Sequence, residues 1–356
     1  MSKKNLLTRI GNKAAQRFLD NAIRWLNANS DQFTTYRQRP KFASAVRTVG
    51  DDLAYDEPVA IVMQGPIPVP DNFTYETFAI YRRHMPDVRL ILSTWADTPE
   101  EHLHPLRDLG VQLVLCEKPE IPGLFNINMQ LASAAAGIEK AVDDGAKWVM
   151  KTRVDQRLYS PNALAELVNM AKAFPPKGGF DQKYRILGVG YGSLKYAPYH
   201  VTDQTVFGHA EDMLKYWTPP LRHDKAPDHF PATAHDIYTQ VKIGEVAQFA
   251  APESYIAAQY LTRIGRDLEW TLQDSWAAYR DCFCFVDYQD TDFFWQKSQL
   301  WTRLELLHRY DVMWTRHEIT FAHWLLLYSG ALSPQAAARY EPALDQLFMS
   351  AIELGD

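Results

Sequence analysis

Between residues 59 and 157 the apolar positions fall into short runs, separated by longer stretches with helical spacing. Val59-Ala60-Ile61-Val62-Met63, Val88 to Trp95, Val111 to Leu115 and Trp148-Val149-Met150 are too short for helices. Val59 to Met63 and Trp148 to Met150 are apolar at successive positions, the pattern of parallel strands buried on both faces, while the second run carries Arg89 and Ser93-Thr94 and the third carries Gln112. Between them, Thr74 to Arg83, Pro99 to Leu109 and Ile127 to Val142 carry apolar residues at three- and four-residue steps and read as helices. Pro86 stops the first, Gly110 caps the second, and Asp143-Asp144-Gly145 closes the third. Strand and helix alternating at these intervals predict right-handed crossovers and a mostly parallel α/β sheet. The strands run out into polar or small residues: Gln64-Gly65-Pro66, Ser93-Thr94, and Lys151-Thr152-Arg153-Val154-Asp155-Gln156-Arg157, in which Lys151, Arg153, Asp155 and Arg157 alternate and would share one face of a strand that stays regular. The carboxyl ends of the strands are where an open α/β sheet places its ligand.

The flanks differ. In residues 1–45, Leu6, Leu7, Ile10, Ala14, Phe18, Ala22, Trp25 and Leu26 share one helical face, while Lys3, Lys4, Arg9, Lys13, Arg17 and Arg24 oppose a single Asp20. Such a helix either lies on an anionic membrane surface or docks on the globular body with its basic face in water. Beyond the charged segment a helix is expected over Asn162 to Phe174 and a strand over Ile186 to Gly192. Gly188, Gly190 and Gly192 bare one face of that strand, for a flat ligand or for close packing. Val201 to Gly208 is a further strand. Leu221 to Asp236, with His229 and His235, reads as a long polar loop suited to an acceptor. A helix starts at Ala251-Pro252, with Glu253 in its first turn. From residue 274 onward an aromatic tail is expected to be largely helical, ending in a helix from Ser333 to Leu354. The organisation is therefore an N-terminal helical segment (1–45), an α/β domain (55–270) and a mainly helical C-terminal region (271–356).

Composition narrows the function. A net charge of −6 gives no reason to expect nucleic acid. There is neither an 18-residue apolar run nor a signal-peptide core. Of the three cysteines, Cys282 and Cys284 are too close for an easy disulfide, which fits a reducing, cytoplasmic compartment. Aromatic residues make up 13% of the chain, serving either a large core or sugar stacking.

The third helix opens with Asn126-Ile127-Asn128-Met129-Gln130; Asn126 suits an N-cap, which leaves Asn128 and Gln130 to be explained. Amide-rich helix start, Ala-rich helix, Gly145, apolar strand and then Asp155 is an order that resembles the GT-A glycosyltransferases. A closer resemblance rests on Gln64-Gly65-Pro66-Ile67, Ile91-Leu92-Ser93-Thr94-Trp95, Lys151 to Arg157, Asp203-Gln204-Thr205-Val206-Phe207-Gly208 and Pro252-Glu253-Ser254-Tyr255. Together these are similar to the WavE-type lipopolysaccharide-synthesis proteins, from about Val59 to Trp295.

The resemblance implies a GT-A-like (Rossmann-like) fold with helical additions at both ends. It also implies transfer of a sugar from a nucleotide-sugar to a bacterial surface glycan: lipopolysaccharide core, O-antigen or capsule. Gln64, Gly65, Pro66, Ser93, Thr94, Asn126, Gln130, Lys151, Arg153, Gln156 and Arg157 would then bind the donor. Asp155 would lie beside the diphosphate, and Asp203 would be the acceptor-side base. Glu253, His229 and His235 would meet the acceptor. The plainer readings are an ion-pair cluster around Arg153, a turn cap at Asp203 and a helix-start charge at Glu253. Metal-dependent GT-A members show Asp-any-Asp where this chain has Arg153 and Asp155, so no metal ligand is assigned. Mg²⁺ or Mn²⁺ is not favoured, because a guanidinium can neutralise phosphate itself. Two rival functions remain: a non-catalytic glycan-binding or assembly protein, and a nucleotidyltransferase. The expected location is cytoplasmic, at the inner face of the membrane if residues 1–45 bind it.

Overall fold

The computed structural model describes residues 3–30, 38–47, 55–68, 70–296 and 318–349. The chain separates into two compact units, residues 1–41 and 42–356. The first is built on α1 (Lys3–Asn29), the predicted N-terminal helix. Phe18, Leu19, Trp25 and Leu26 are exposed along it, as are Lys13, Arg17 and Arg24. No helix of the described residues is long and apolar enough to cross a membrane.

The second unit is the expected mostly parallel α/β sheet flanked by helices. Its first four strands are β1 (Val59–Gln64), β2 (Arg89–Trp95), β3 (Gln112–Cys116) and β4 (Trp148–Arg153), all parallel to one another. The helices between them are α2 (Phe73–His84), α3 (Glu100–Asp108) and α4 (Ile127–Asp143). β1 is buried along its whole length, which is why its sequence shows no alternation. A short β5 (Gln156–Leu158) follows β4, then α5 (Ala163–Ala173), β6 (Ile186–Val189), β7 (Thr205–His209) and α6 (Ala210–Trp217). Further on come α7 (Ala234–Gln240), α8 (Ile243–Phe249), α9 (Pro252–Arg263), α10 (Leu272–Cys282), β8 (Phe283–Val286) and β9 (Phe293–Trp295). The main sheet runs β3-β2-β1-β4-β7-β6-β8, with β7 antiparallel to both neighbours and β6 parallel to β8. β5 and β9 form a separate antiparallel pair.

Three expectations need correction. The C-terminal region is not simply helical: β8 completes the main sheet, and β9 pairs with β5. Phe283-Cys284-Phe285-Val286 is an apolar run buried on both faces, and its position behind a helix hid it. The last predicted helix is a 3-10 run over Pro334–Asp345, where Pro342 removes an α-helical donor; residues 350–354 lie outside the described residues. The strand predicted through Arg157 stops at Arg153. Val154 and Asp155 form a turn before β5, so the assumption that Lys151, Arg153, Asp155 and Arg157 share one face fails at Arg157.

Gly137 fixes how closely α4 sits on the sheet. A Cβ there would stand 2.4 Å from Val62 Cγ1 and 3.0 Å from the Ser93 Cβ. With hydrogen in its place, α4 packs directly onto the ends of β1 and β2.

Candidate active site at the carboxyl edge of the sheet

The carboxyl ends of β1, β2 and β4 lie side by side, with Gln64 opposite both Ser93 and Arg153. β7 runs the other way, so its amino-terminal end, just after Asp203 and Gln204, meets the same edge. β6 ends there too, followed by Gly190 and Gly192, whose φ values of +100 and +96 suit glycine.

On the β1/β2 side the polar side chains are taken up internally. Gln64 Oε1 accepts from Ser133 Oγ on α4 at 2.7 Å. Ser93 is fully buried with its hydroxyl 3.4 Å from Cys116 Sγ, and Thr94 pairs with Thr98 at 3.1 Å. Gly65, at φ +115, donates its N–H to the Ser93 carbonyl, and Pro66 beside it is exposed. Asn126 is left-handed and makes no side-chain cap. Asn128 is buried, donating to the carbonyls of Ile121 and Arg222 and accepting from Arg222 N–H at 2.7 Å, so it anchors the start of the long loop. Of the amides at this helix start, Gln130 reaches the site: its Nε2 donates to the Asp203 carbonyl at 3.2 Å.

The β4/β7 side carries the charges. Lys151 is completely buried; its ammonium donates to the Asp203 and Gln204 carbonyls and lies 4.2 Å from the Trp217 ring centre. Burial pulls its pKa down to about 7, against the opposing influence of Asp203. Arg153 grips Asp155 with two parallel hydrogen bonds of 2.9 and 3.0 Å, and Trp295 Nε1 donates to the same carboxylate at 3.0 Å. Burial disfavours both charges. Their hydrogen bonds and mutual attraction nonetheless hold the Asp155 carboxyl below its ordinary range and the Arg153 guanidinium above its own. Asp203 is only 8% exposed, and among the described residues no group hydrogen-bonds its carboxylate. The turn beside it is closed instead by Thr202 Oγ1, which accepts from Gln204 N–H at 3.3 Å, so the capping role expected as an alternative for Asp203 falls to its neighbour.

Sequence reasoning missed His200. It is buried, its Nδ1 lies 3.0 Å from the Gly192 carbonyl, and its Nε2 lies 3.6 Å from Glu253 Oε2 at the start of α9. Burial drives its pKa down to about 4. Trp295 was also missed, since only the β5–β9 pairing brings it beside Asp155. An isolated histidine and a Phe-Phe-Trp run carry no sequence signal for either role.

Other candidates lie elsewhere. Arg157 is fully buried and turned towards α2, donating to Thr77 Oγ1 at 2.9 Å, the Phe73 carbonyl at 3.1 Å and Tyr159 Oη at 2.9 Å. Gln156 joins a buried network with Thr152, Thr205 and Gln204 beneath the edge. His229 pairs with Glu245 at the surface, and His235 is exposed on α7. Gly188 follows the close-packing alternative, since a Cβ there would stand 3.2 Å from Thr202, whereas Gly190 and Gly192 lie beyond β6, where a Cβ would make only ordinary contacts.

A divalent cation does not fit the motif as it stands. Both oxygens of Asp155 already accept hydrogen bonds, and a guanidinium occupies the place of the second carboxylate. Among the described residues no group of three or more His, Cys, Asp and Glu side chains is arranged to hold a metal ion.

A family model described as WavE lipopolysaccharide synthesis matches residues 59–273. The chain belongs to the WavE family. The WavE match begins at the first residue of β1 and ends inside α10, so it contains every strand of the main sheet except β8, together with Lys151, Arg153, Asp155, His200, Asp203 and Glu253. A search of curated proteins found no match. Among solved structures, 4-diphosphocytidyl-2C-methyl-D-erythritol synthase from Anaerococcus prevotii DSM 20548 is 10% identical, with 65% of this chain and 89% of that one covered at a TM-score of 0.35. HddC from Yersinia pseudotuberculosis is 14% identical, covering 50% and 87% at 0.29. CMP:2-keto-3-deoxy-manno-octonic acid synthetase, complexed with CTP, is 10% identical, covering 37% and 51% at 0.24. At these identities and scores the likeness carries nothing about activity.

Proposed function

We propose that the chain transfers a sugar from a nucleotide-sugar to a bacterial surface glycan, with Asp203 as general base. The observation that carries this reading is the state of Asp203. Its backbone carbonyl is held by Lys151 and Gln130, while its carboxylate accepts nothing among the described residues. A base needs a fixed position and a free lone pair, and of Asp155 and Asp203 only the latter has both. In this reading the acceptor hydroxyl gives its proton to Asp203 as its oxygen bonds to the anomeric carbon of the donor. The bond from that carbon to phosphate breaks, and the nucleotide leaves with the electron pair. Arg153, oriented by Asp155 and still 29% exposed, faces the diphosphate. Lys151 adds positive charge behind it, and Gln64, Gly65 and Gln130 complete the donor side.

The reading is tested by a hydrolysis screen of UDP-, GDP-, CMP- and dTDP-linked sugars with and without chelator. Slow hydrolysis of one donor, retained in chelator, is expected. Binding of a donor without turnover would instead favour a glycan-binding or assembly role, and activity restored only by Mn²⁺ would overturn the part assigned to Arg153. The exposed Phe18 and Trp25, each beside an exposed arginine on α1, support attachment to an anionic membrane surface. Removing residues 1–41 is expected to release the protein from anionic vesicles and leave it bound to none. Equal vesicle binding with and without them would contradict the attachment.

A further inference from the structure

We propose that the outer edge of β3 is a dimer interface, at which a second copy of this chain adds its own β3, antiparallel, across a two-fold axis beside Val114. The main sheet ends at β3 on one side and at β8 on the other. All four residues of β8 are buried, whereas Gln112 of β3 is exposed and Leu115 is 44% exposed. Ala96 N–H donates to the Cys116 carbonyl at 2.9 Å, so the even-numbered residues of β3 turn their backbone groups to β2. Backbone groups alternate in direction along a strand. Those of Leu113 and Leu115 therefore point outward, and among the described residues no strand lies there to take them. An exposed edge is normally blunted by lysine, proline or a bulge. Gln112-Leu113-Val114-Leu115-Cys116 carries neither charge nor proline and pairs with β2 residue for residue.

Symmetry and charge select a second copy as the occupant. With the axis beside Val114, Leu113 falls opposite Leu115 of the second copy, and the outward groups of both face each other. Such a pair exchanges two hydrogen bonds, and the axis makes the pair twice. In the same register Glu117 of one copy falls opposite Val111 of the other. That is beside Gly110, whose carbonyl accepts from Arg82 Nη2 at 3.1 Å. Glu117 is exposed, and among the described residues neither Glu117 nor Arg82 stands in an ion pair. The neighbouring cations are already paired, Lys118 with Asp97 and Arg107 with Glu100. Right-handed crossovers put α2 and α3 on one face of the sheet and α4, which returns from β3 to β4, on the other. Gln112 bears on Asp144 and Cys116 on Glu139, both at α4, so the even-numbered side chains, Lys118 among them, turn to that face. Glu117 turns to the face of α2, which carries Arg82. An axis at Leu115 would lay Glu117 against Leu113 instead, and one at Leu113 would carry it past Gly110 to Leu109. Antiparallel pairing turns the two carboxyl edges in opposite directions, so both candidate sites stay open.

Sedimentation equilibrium of the full-length protein between about 1 and 100 µM tests the proposal. Two five-residue strands make a small interface, so association should be reversible within that range. Glu117→Arg and Arg82→Glu should each weaken it by roughly tenfold or more, because each reverses the charge at both symmetric pairs. Mixing the two variants should bring the dimer back, since every Glu–Arg pair is restored across a mixed interface. Leu115→Pro should abolish the dimer while the sheet stands, because the N–H it removes is one that β2 does not use. A parent that stays monomeric throughout the range overturns the proposal. So do single variants that dimerise as the parent does, and folded variants that stay monomeric when mixed. Should Arg82→Glu or Leu115→Pro fail to fold, Glu117→Arg decides alone, since its side chain is exposed: weakened association supports the interface, and unchanged association overturns it.

Discussion

The two halves of the sheet's carboxyl edge look alike in sequence and differ in chemistry. At β1 and β2 an apolar strand runs into Gln64, Ser93 and Thr94; at β4 and β7 it runs into Lys151, Arg153, Asp155 and Asp203. In the first half α4 packs tightly, allowed by Gly137, and the short polar side chains find partners within the fold: Ser133, Cys116 and Thr98. In the second half the turn at Val154-Asp155 ends β4, and the reversed direction of β7 brings Asp203 and Gln204 to the same edge. Charged side chains gather there: Lys151 and the Arg153–Asp155 pair find partners, while the Asp203 carboxylate accepts no hydrogen bond among the described residues. A strand ending in polar residues therefore marks a site only where packing leaves those residues something to do. The β1/β2 side offers mainly backbone and shape, and the β4/β7 side offers charge.

The largest effect that would sharpen this contrast is expected at Asp203. Asp203→Asn is close in shape, and among the described residues the Asp203 carboxylate accepts no hydrogen bond, so the protein should fold and bind donor with little change. Transfer should fall by about a hundred- to ten-thousand-fold, the usual cost of losing a general base. Measuring donor affinity and transfer rate on one sample checks both. A variant that transfers at near the parent rate would remove the difference between the halves and send the search for the base to Glu253.

Next in size is the pH dependence contributed by Lys151. Its folded pKa, about 7, lies below the ordinary 10.5 of lysine. Between those values the unfolded chain holds a proton that the folded chain does not, so stability from this group rises with pH across that window. Below about 7 both forms are protonated and the contribution to the slope ends. Lys151→Met should flatten the denaturant midpoint against pH between about 7 and 10. An identical profile in parent and variant would mean that the buried ammonium does not titrate there.

The smallest effect tests the closed half. Gly137→Ala places a methyl 2.4 Å from Val62 Cγ1. Overpacking of this kind costs about 1–3 kcal/mol, against a gain of about 1 kcal/mol in helix propensity. A net fall in the unfolding midpoint is expected, and a rise would show that α4 has room to move off the strands.

Much of the fold was legible because burial on both faces leaves mostly apolar runs at β1, β2 and β4, and because β3, a partly exposed edge strand, keeps its apolar residues between clear helix boundaries. The seventh strand was not legible, because Phe283 to Val286 continues directly from α10 and belongs to an aromatic stretch that suits a helix as well. At the site, Asp203, Lys151, Arg153 and Glu253 could be named from their positions at strand and helix ends. Arg157 was misplaced because a single turn reverses the side-chain alternation on which its placement rested. His200 and Trp295 were invisible for a different reason: each reaches the site through pairing of segments distant in sequence, Trp295 across β5 and β9, and His200 against Gly192 and the start of α9.

The central claim is that the bond broken lies between the sugar and its phosphate. Hydrolysis of the active nucleotide-sugar in ¹⁸O-labelled water tests it directly. Attack at the anomeric carbon, as proposed, puts the label in the released sugar and none in the nucleotide. Label appearing in phosphate instead would mean attack at phosphorus, and the chain would then be a nucleotidyl- or phosphoryl-transfer enzyme and not a glycosyltransferase.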